Sequence, residues 1–224
     1  MDRRIIIAID GPAGAGKSTI ARRVAERLGF TYIDSGAMYR AVALWAIREK
    51  LDPAGTRHME ELAKAAAIEF EPGSSSVRLN GEDVTAAIRT LGVSNAASIV
   101  SAIPGVRRAL VETQRKMGEE GNVVMEGRDI GSVVFPNAAV KVFLDAHPDE
   151  RARRRVEQTG EGDRDAIAAQ IGERDQRDRT RPESPLVQAP DAVYLDSTAL
   201  SQDEVEEAIL KLVRARMSNG KEYQ

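Results

Sequence analysis

The sequence predicts an α/β fold in which helices flank a mostly parallel sheet, with a small inserted α+β lobe and a helical lid. Apolar, β-branched runs such as Ile5 to Ile9 are typical of strands buried on both faces of a parallel sheet. Segments with apolar residues at helical spacing alternate with these runs, which indicates strand–helix units with right-handed crossovers. Between residues 52 and 101 the pattern changes to short strands around Asn80-Gly81, a strong hairpin signal.

The elements of the parallel frame follow from these patterns in chain order. We expect strands over 5–9, 32–34, 122–125, 138–144 and 192–195, and helices over 18–28, 38–50, 104–117, 149–157, 166–179 and from 201 onward. In the first helix Ile20 and Val24 recur at helical spacing, and Gly29 ends it. At the last helix Ser201 and Glu204 match a capping box.

The inserted segment follows a different pattern. A short helix is expected over 59–67, followed by strands over 68–70, 77–79 and 82–84. Asn80-Gly81 joins the last two strands as a tight turn. A small antiparallel patch inside a parallel frame indicates an inserted lobe.

The composition excludes several classes of protein. With 224 residues, 42% hydrophobic and 30% charged, the chain is neither disordered nor fibrous. It has no Cys, which excludes disulfides, thiolate zinc sites and a Cys nucleophile. A net charge of −3 and only four Phe, four Tyr and one Trp argue against nucleic-acid binding. No apolar run approaches about 18 residues, and the run from Ile5 to Asp10 is too short for a signal peptide. We therefore expect a cytoplasmic protein.

A phosphate-binding loop follows the first predicted strand. Residues 11–18, Gly-Pro-Ala-Gly-Ala-Gly-Lys-Ser, match the P-loop pattern between a strand and a helix. The glycines let backbone N–H groups converge on phosphate oxygens, Lys17 reaches the β- and γ-phosphates, and the Ser18 hydroxyl binds Mg²⁺. The predicted ATP-binding residues are Gly11, Pro12, Ala13, Gly14, Ala15, Gly16, Lys17, Ser18 and Thr19. The loop alone does not separate kinases, GTPases and ATPases, although a guanine-reading Asn-Lys-x-Asp segment is absent.

Polar residues follow two further strands, at the edge where ligands bind in open α/β sheets. Asp34 and Ser35 end the second strand, with Arg40 on the next helix, and Arg128-Asp129 follows the third buried strand. The arginines would hold a second anion, and the carboxylate of an Arg-Asp pair would accept a ligand N–H. The alternatives are a helix N-cap at Ser35 with a surface Arg40, and an internal salt bridge at Arg128-Asp129.

The segment 151–181 is rich in arginine and contains no lysine. Its arginines are Arg151, Arg153, Arg154, Arg155, Arg164, Arg174, Arg177, Arg179 and Arg181. Acidic residues are interleaved with them, so one interpretation is a solvated helix face with ion pairs. Arginine clamps phosphates in a fork, and two arginine-bearing helices joined by a flexible Gly160-Glu161-Gly162 turn favour a lid. Closure of this lid would exclude water, a competing acceptor.

Five segments together resemble the bacterial cytidylate kinases. They are Ile-Asp-Gly-Pro-Ala-Gly-Ala-Gly-Lys-Ser at 9–18, Asp-Ser-Gly-Ala-Met-Tyr-Arg at 34–40, Asn-Ala-Ala-Ser at 95–98, Glu-Gly-Arg-Asp-Ile-Gly-Ser-Val-Val-Phe-Pro at 126–136 and Glu-Arg-Asp-Gln-Arg-Asp-Arg at 173–179. The resemblance covers residues 5–214 and implies a P-loop nucleoside monophosphate kinase of pyrimidine metabolism, which converts ATP and CMP or dCMP to ADP and CDP or dCDP. It also implies a core over 1–35, 102–150 and 182–224, a monophosphate-binding lobe with an insertion over 36–101, and a lid over 151–181.

The resemblance also implies residue roles. The residues expected to contact CMP are Ser35, Arg40, Ser98, Arg107, Arg128, Asp129, Asp178 and Arg181, and the catalytic ones are Lys17, Arg128, Arg174 and Arg177. Arg40 and Arg128 would hold the CMP phosphate, and Asp178, beside Arg181, the ribose. From sequence pattern alone, a surface position is the alternative for Arg107.

Cytosine reading is implied for Ser98, Arg107 and Asp129. Cytosine presents an amino donor beside acceptors, so a carboxylate or hydroxyl suits the donor and an arginine suits the acceptors. Uracil would leave buried polar groups unpaired, at about 1–3 kcal/mol each. We therefore expect a preference for CMP over UMP.

The expected mechanism is positional and electrostatic. The acceptor is a phosphate oxygen already ionised at neutral pH, so no general base is required. Lys17, Mg²⁺ carried with ATP and the lid arginines would stabilise charge on the transferring group. Neither His58 nor His147 has a pattern that gives it a role.

Other functions stay open at this point. They are a kinase of the same class acting on another nucleotide or on a small metabolite such as shikimate, a non-catalytic nucleotide switch, and an RNA-binding module. The expected partners are ATP and CMP or dCMP, without nucleic acid or membrane, and a monomer is the default that the resemblance implies.

Overall fold

A five-stranded sheet and a small three-stranded sheet organise the computed structural model, which describes residues 4–71, 73–159 and 163–219. The strands are β1 (Ile6–Asp10), β2 (Thr31–Asp34), β3 (Ile68–Phe70), β4 (Val77–Leu79), β5 (Glu82–Asp83), β6 (Val123–Gly127), β7 (Val140–Asp145) and β8 (Val193–Asp196). The helices are α1 (Lys17–Leu28), α2 (Ser35–Arg48), α3 (Thr56–Ala65), α4 (Leu91–Val100), α5 (Pro104–Glu119), α6 (Pro148–Thr159), α7 (Arg164–Thr180) and α8 (Gln202–Asn219). A 3₁₀ turn spans Ala87–Arg89 and a π-helical turn spans Ile130–Val134.

The large sheet is parallel throughout, in the order β2-β6-β1-β7-β8. Its central strands are buried on both faces, as the continuous apolar runs predict. The register pairs Asp10 with Gly127 and Asp34 with Glu126. The carboxyl ends of β1, β2 and β6 therefore meet at one edge, where polar residues can converge on a ligand.

Helices cover both faces of this sheet, so the predicted α/β fold class is confirmed. On one face Ile20 of α1 and Ile209 of α8 pack against Val142 of β7. On the other face the cluster includes Val111 of α5 and Met125 of β6.

The predicted ends of the first and last helices are also confirmed. Gly29 ends α1 in the left-handed conformation, at φ 67°. The Ser201 N–H donates to the Glu204 carboxylate (2.9 Å), and the Glu204 N–H donates to Ser201 Oγ (3.3 Å). These reciprocal bonds are the predicted capping box ahead of α8.

The small lobe contains the antiparallel sheet β3-β4-β5. Asn80 and Gly81 both have positive φ, 52° and 82°, which is the type I′ hairpin geometry expected of this dipeptide. Helix α4 was not expected from the sequence, because Gly92, Ser94 and Asn95 lower its helix propensity. Its packing against α2 compensates for that low propensity.

Helices α6 and α7 form the arginine-rich pair. They run slightly beyond their predicted limits, and the Gly160-Glu161-Gly162 turn expected between them lies outside the described residues. Within the described ranges, no helix combines the length and the apolarity that a membrane crossing needs.

Candidate active site

The loop between β1 and α1 turns at three glycines with positive φ. Gly11, at φ 149°, approaches β7 so closely that a Cβ would lie 1.9 Å from the Leu144 carbonyl oxygen. A Cβ on Gly14, at φ 77°, would lie 2.9 Å from the carbonyl oxygen of Arg151. Gly16, at φ 88°, leads directly into α1. Larger residues at 11 or 14 would displace backbone, so the motif is a structural requirement of this turn.

The backbone N–H groups of the loop are not equivalent. Pro12 has none, and the Ala13 N–H donates to Asp175 Oδ1 at 2.9 Å. No side chain caps the start of α1, so the N–H groups that follow, from Gly14 to Thr19, lead into an uncapped helix N-terminus. Such a terminus attracts anions through its N–H groups and helix dipole. Of the nine residues predicted to bind ATP, the later six carry the N–H groups that lead into this terminus, and Gly11 to Ala13 form the preceding turn.

Lys17 is buried at the start of α1, and its Nζ donates to the Pro12 carbonyl oxygen at 2.7 Å. Burial, together with the nearby cations Arg128 and Arg174, lowers the pKa of Lys17 to about 7, although Glu126 acts in the opposite direction. An anion in the loop would favour the ammonium form again. Lys17 is therefore set to take up a proton together with a phosphate.

Ser18 is exposed at the mouth of the loop, and its hydroxyl lies near enough to the Glu126 carboxylate to lower the pKa of that carboxyl. Tyr32 donates to Glu126, with 2.7 Å between Oη and Oε1. Burial raises the pKa of Glu126, and the neighbouring Asp34 raises it further. Sequence analysis missed Glu126 as a site residue, although it lies within one of the quoted motifs.

Asp10, another carboxylate that sequence analysis missed, ends β1 next to the segment that follows Arg128-Asp129. Its two carboxylate oxygens accept the N–H groups of Ile130 (2.8 Å) and Gly131 (2.7 Å). Burial raises the pKa of Asp10 to about 6, although these two bonds act in the opposite direction. The bonds fix the backbone immediately after Arg128-Asp129, so Asp10 orients the segment that carries both side chains.

The start of α2 is organised differently from the expected alternative. Asp34, not Ser35, is the N-cap, because its Oδ1 accepts the Ala37 N–H at 2.9 Å. Ser35 is buried and donates to the Glu126 carbonyl oxygen at 2.6 Å. Arg40 is half-buried and pairs with Asp34 at 2.6 Å. Burial acts to raise the pKa of Asp34, but the Arg40 guanidinium and the hydrogen bond from the Ala37 N–H hold it below its usual value.

Five charged residues from three segments form one ion-pair chain, hereafter the acceptor cluster: Arg107, Asp129, Arg181, Asp178 and Arg128. Arg107 pairs with Asp129 (2.6 Å), and Arg181 lies 3.6 Å from Asp129 and 3.2 Å from Asp178. Arg128 Nε donates to Asp178 at 3.0 Å. Burial acts to raise the pKa of Asp178, but the cations Arg128 and Arg181 hold it below its usual value. Arg128 and Asp129 each pair with another segment, and Arg107, at 2% exposure, is not a surface residue.

The polar atoms of this cluster are incompletely satisfied. Within the described residues, Arg107 Nε, Arg181 Nη2, Tyr39 Oη and Gln114 Nε2 are buried without a hydrogen bond that meets strict geometry. The Arg107 guanidinium lies over the Tyr39 ring, 5.2 Å from its centroid. Buried donors without partners are costly, so this pocket favours a ligand that presents acceptors.

Helix α7 contributes two arginines to the same cleft. Arg174 is half-buried, and burial together with the nearby Arg128 lowers its pKa to about 10. Arg177 donates to the Ser98 hydroxyl on α4. The structure thus gathers Lys17, Arg128 and Arg174 into one cationic region between the phosphate loop and the acceptor cluster. This arrangement suits the binding of two phosphate groups end to end.

The remaining predicted features have simpler placements. His58 and His147 are both exposed, and His147 Nδ1 lies 3.5 Å from Asp149. Within the described ranges, no three His, Asp or Glu side chains are grouped as metal ligands.

Comparisons with known proteins agree with this geometry. The family model described as cytidylate kinase matches residues 7–215. A cytidylate kinase of Solibacter usitatus is 62% identical, covering 99% of this chain and 97% of that protein, and one of Pelotomaculum thermopropionicum is 49% identical, covering 96% of each. A solved gluconokinase of Sinorhizobium meliloti is similar in fold, with a TM-score of 0.53 at 15% identity, over 99% of this chain and all of that one.

Proposed function

The chain belongs to the cytidylate kinase family, and from this premise we propose how its cleft transfers the γ-phosphate of ATP to CMP or dCMP. The protein is a nucleoside monophosphate kinase, a phosphotransferase whose acceptor is itself a phosphate group. Its products are ADP and CDP or dCDP. The roles of individual residues, the metal and the lid are our proposals.

ATP binds with its phosphates at the start of α1. The N–H groups of Gly14 to Thr19 surround the β- and γ-phosphates, and Lys17 leaves the Pro12 carbonyl to contact them. The uncapped helix start and the buried lysine support this assignment. Segment 151–181 serves as the lid over these phosphates.

Mg²⁺ accompanies ATP, with Ser18 as its protein ligand and Glu126 beside it. These two side chains lie near each other and offer hard oxygen ligands, which Mg²⁺ prefers. When bound, the cation neutralises charge on the β- and γ-phosphates. Glu126 orients the Ser18 hydroxyl, and Tyr32 holds Glu126 in turn.

CMP binds across the acceptor cluster. Arg40 and Arg128 hold its phosphate, because both guanidiniums lie beside carboxylates that the phosphate can replace. Asp178 contacts the ribose, with Arg181 beside it. The base lies against Ser98 of segment 36–101 and against Arg107 and Asp129 of the core.

Cytosine selection follows from the pairing at the acceptor cluster. Asp129 accepts the exocyclic amino group of cytosine while Arg107 donates to its ring nitrogen and carbonyl. Support comes from the Arg107–Asp129 ion pair (2.6 Å) and from the unsatisfied Arg107 Nε. Uracil would place a carbonyl against the Asp129 carboxylate, which leaves both without a donor.

The transfer needs alignment and charge neutralisation more than proton transfer. The attacking oxygen of CMP is already ionised. The γ-phosphoryl group is surrounded during its transfer by Lys17, Arg128, Arg174 and Arg177. Their positive charges act in a cleft from which the lid excludes water, where electrostatic stabilisation is strong. No side chain is required as a general base.

A single observation carries this proposal: Arg128 of the acceptor cluster and Arg174 of the lid both lie close enough to Lys17 of the phosphate loop to lower its pKa, and Arg128 also lowers the pKa of Arg174. The test is ADP release from ATP and Mg²⁺ with CMP, dCMP, UMP, AMP, GMP or shikimate, or with no acceptor. We expect release to depend on CMP or dCMP and to be much slower with every other addition. Equal release with and without CMP would refute the proposal.

A further inference from the structure

A buried ionic contact connects the tip of the phosphate loop to both lid helices. Asp175 of α7 is 1% exposed, and its Oδ1 accepts the Ala13 N–H at 2.9 Å. Its Oδ2 accepts from Arg151 of α6, which is 6% exposed. Arg151 Nη1 also donates to the Ala13 carbonyl oxygen at 3.0 Å. Both backbone polar groups of one loop residue are thus held by the lid.

Packing reinforces this contact. Ala13 is buried against Ala152 of α6 and Ile171 of α7, which together form a small apolar cluster. Gly14, the next residue, approaches Arg151 so closely that there is no room for a Cβ between them. Arg151 is held in turn by the Ala146 carbonyl oxygen, 3.1 Å from its Nε. Helices α6 and α7 are therefore packed on the loop by apolar contacts as well as by hydrogen bonds and an ion pair.

The position of Asp175 on α7 gives the contact a consequence for catalysis. Asp175 directly follows Arg174 and precedes Arg177 by two residues. Residues this close on one helix move together, so anchoring Asp175 fixes both the height and the rotation of α7 at these arginines. Arg174 then faces Arg128, and Arg177 reaches Ser98.

We propose that Asp175, held by Arg151, is a positioning residue that couples the phosphate loop to the lid arginines. This inference rests on the proposed kinase function. The loop conformation that receives ATP and the helix orientation that presents Arg174 are then set by the same carboxylate. Asp175 does not contact the substrates, because both its oxygens are engaged within the protein. It acts on Arg174 and Arg177 through their position on α7. Its charge also acts on Lys17 and Arg128.

Replacement of Asp175 tests the coupling. In Asp175→Asn the side chain can still accept the Ala13 N–H but cannot also accept from Arg151. In Asp175→Ala both contacts are lost. Displacement of a catalytic group by about 1 Å can reduce turnover on the order of 100-fold, so we expect kcat to fall about tenfold in the first variant and up to about 100-fold in the second. The KM for CMP should change less than kcat.

Glu173→Ala is the matched control, since Glu173 is an exposed acid on the same helix, on the other side of Arg174. We expect it to retain wild-type kcat and KM. Thermal unfolding of each variant accompanies the kinetics. Because Asp175→Ala also leaves the Ala13 N–H buried without its acceptor, the milder Asp175→Asn variant carries the kinetic comparison.

A double-mutant cycle with Arg174→Ala separates positioning from general stability. If Asp175 acts through Arg174, Asp175→Asn should reduce kcat by less than about threefold once Arg174 is absent. Equal fold-losses in both backgrounds, or an unchanged kcat in Asp175→Asn, would overturn the inference. The wild-type protein in the same assay keeps the two proposals distinct, because absence of CMP-dependent ADP release there would instead refute the kinase function.

Discussion

The phosphate loop and the acceptor cluster lie at the same edge of the sheet but are built in opposite ways. The loop is one continuous segment whose shape depends on three glycines and whose donors are mostly backbone N–H groups. The acceptor cluster is made of side chains from separate segments, paired with one another in a buried chain. Backbone donors are in place before the ligand arrives, whereas the acceptor side must exchange internal ion pairs for contacts with its nucleotide.

This difference has an energetic consequence. A charge that leaves one buried partner must find another, or it costs several kcal/mol. In our proposal, CMP enters the acceptor cluster because its phosphate replaces Asp178 beside Arg128 and its base replaces part of the Arg107–Asp129 contact. In this account the acceptor cluster admits only a ligand whose groups can replace the ion pairs that it breaks. The loop, whose donors are already in place, can bind any suitably placed triphosphate.

The largest expected effect lies on the loop side. Lys17→Ala removes the one side-chain cation that the loop itself supplies, and we expect kcat to fall by about 10³-fold or more. The fold should persist, because Lys17 makes only one hydrogen bond to the loop. Steady-state ADP release and thermal unfolding are the measurements, with the exposed Lys64→Ala as control. Near wild-type turnover in Lys17→Ala would remove this role.

The next effect separates the two sides. Arg128→Ala deprives the CMP phosphate of its partner and leaves Asp178 with Arg181 alone. We expect kcat/KM for CMP to fall about 100-fold while the affinity for ATP, measured by titration without CMP, changes little. Arg108→Ala, which removes an exposed arginine paired with Glu183, should have no effect. Equal losses of ATP and CMP binding would show that the two sides are not separable.

Base selection should depend on a single carboxylate of the acceptor cluster. Asp129→Ala removes the acceptor for the cytosine amino group and leaves Arg107 unpaired. We expect the ratio of kcat/KM for CMP to that for UMP to fall by about 10- to 100-fold, as one or two unpaired buried groups require. Substrate competition between CMP and UMP measures this ratio. An unchanged ratio would exclude Asp129 as the reader of the base.

The smallest effect is a dependence on pH at the loop. Burial and the nearby Arg128 depress the pKa of Lys17 to about 7, so raising the pH above this value removes the ammonium from the free enzyme. Since kcat/KM reports the free enzyme, kcat/KM for ATP should fall by about fivefold between pH 7 and pH 8. In Lys17→Arg the cation persists, so the profile should be flat however low the activity. A flat wild-type profile would contradict this account.

The sequence alone predicted the loop well because its information is local. Glycine spacing, a preceding apolar strand and a following helix are all contiguous, and the structure has each of them. The parallel sheet, the hairpin at Asn80-Gly81 and the capping box at Ser201 were predictable for the same reason. The N-cap at Asp34 was missed because Ser35 is equally suited by type, and only the backbone position decides between them.

The acceptor side could not be derived in this way. Arg40 and Arg128-Asp129 were placed at the ligand edge by their positions after two strands, but their exact roles came from a family resemblance. No local pattern indicates that Arg107 pairs with Asp129 or that Arg181 bridges two carboxylates. Asp175 has the same residue type as its solvated neighbours on α7, and only docking on Ala13 buries it. Helix α4 was missed because its polar and glycine residues are stabilised by packing on α2 rather than by propensity.

The measurement that tests the central claim most directly is the affinity for a bisubstrate nucleotide, in which adenosine and cytidine are joined by a polyphosphate chain. If the loop and the acceptor cluster face each other across one cleft, this compound should bind at least about 100-fold more tightly than ATP. Lys17→Ala and Arg128→Ala should each remove most of that gain in titration calorimetry. Binding no tighter than that of ATP would show that the two sites do not share a cleft.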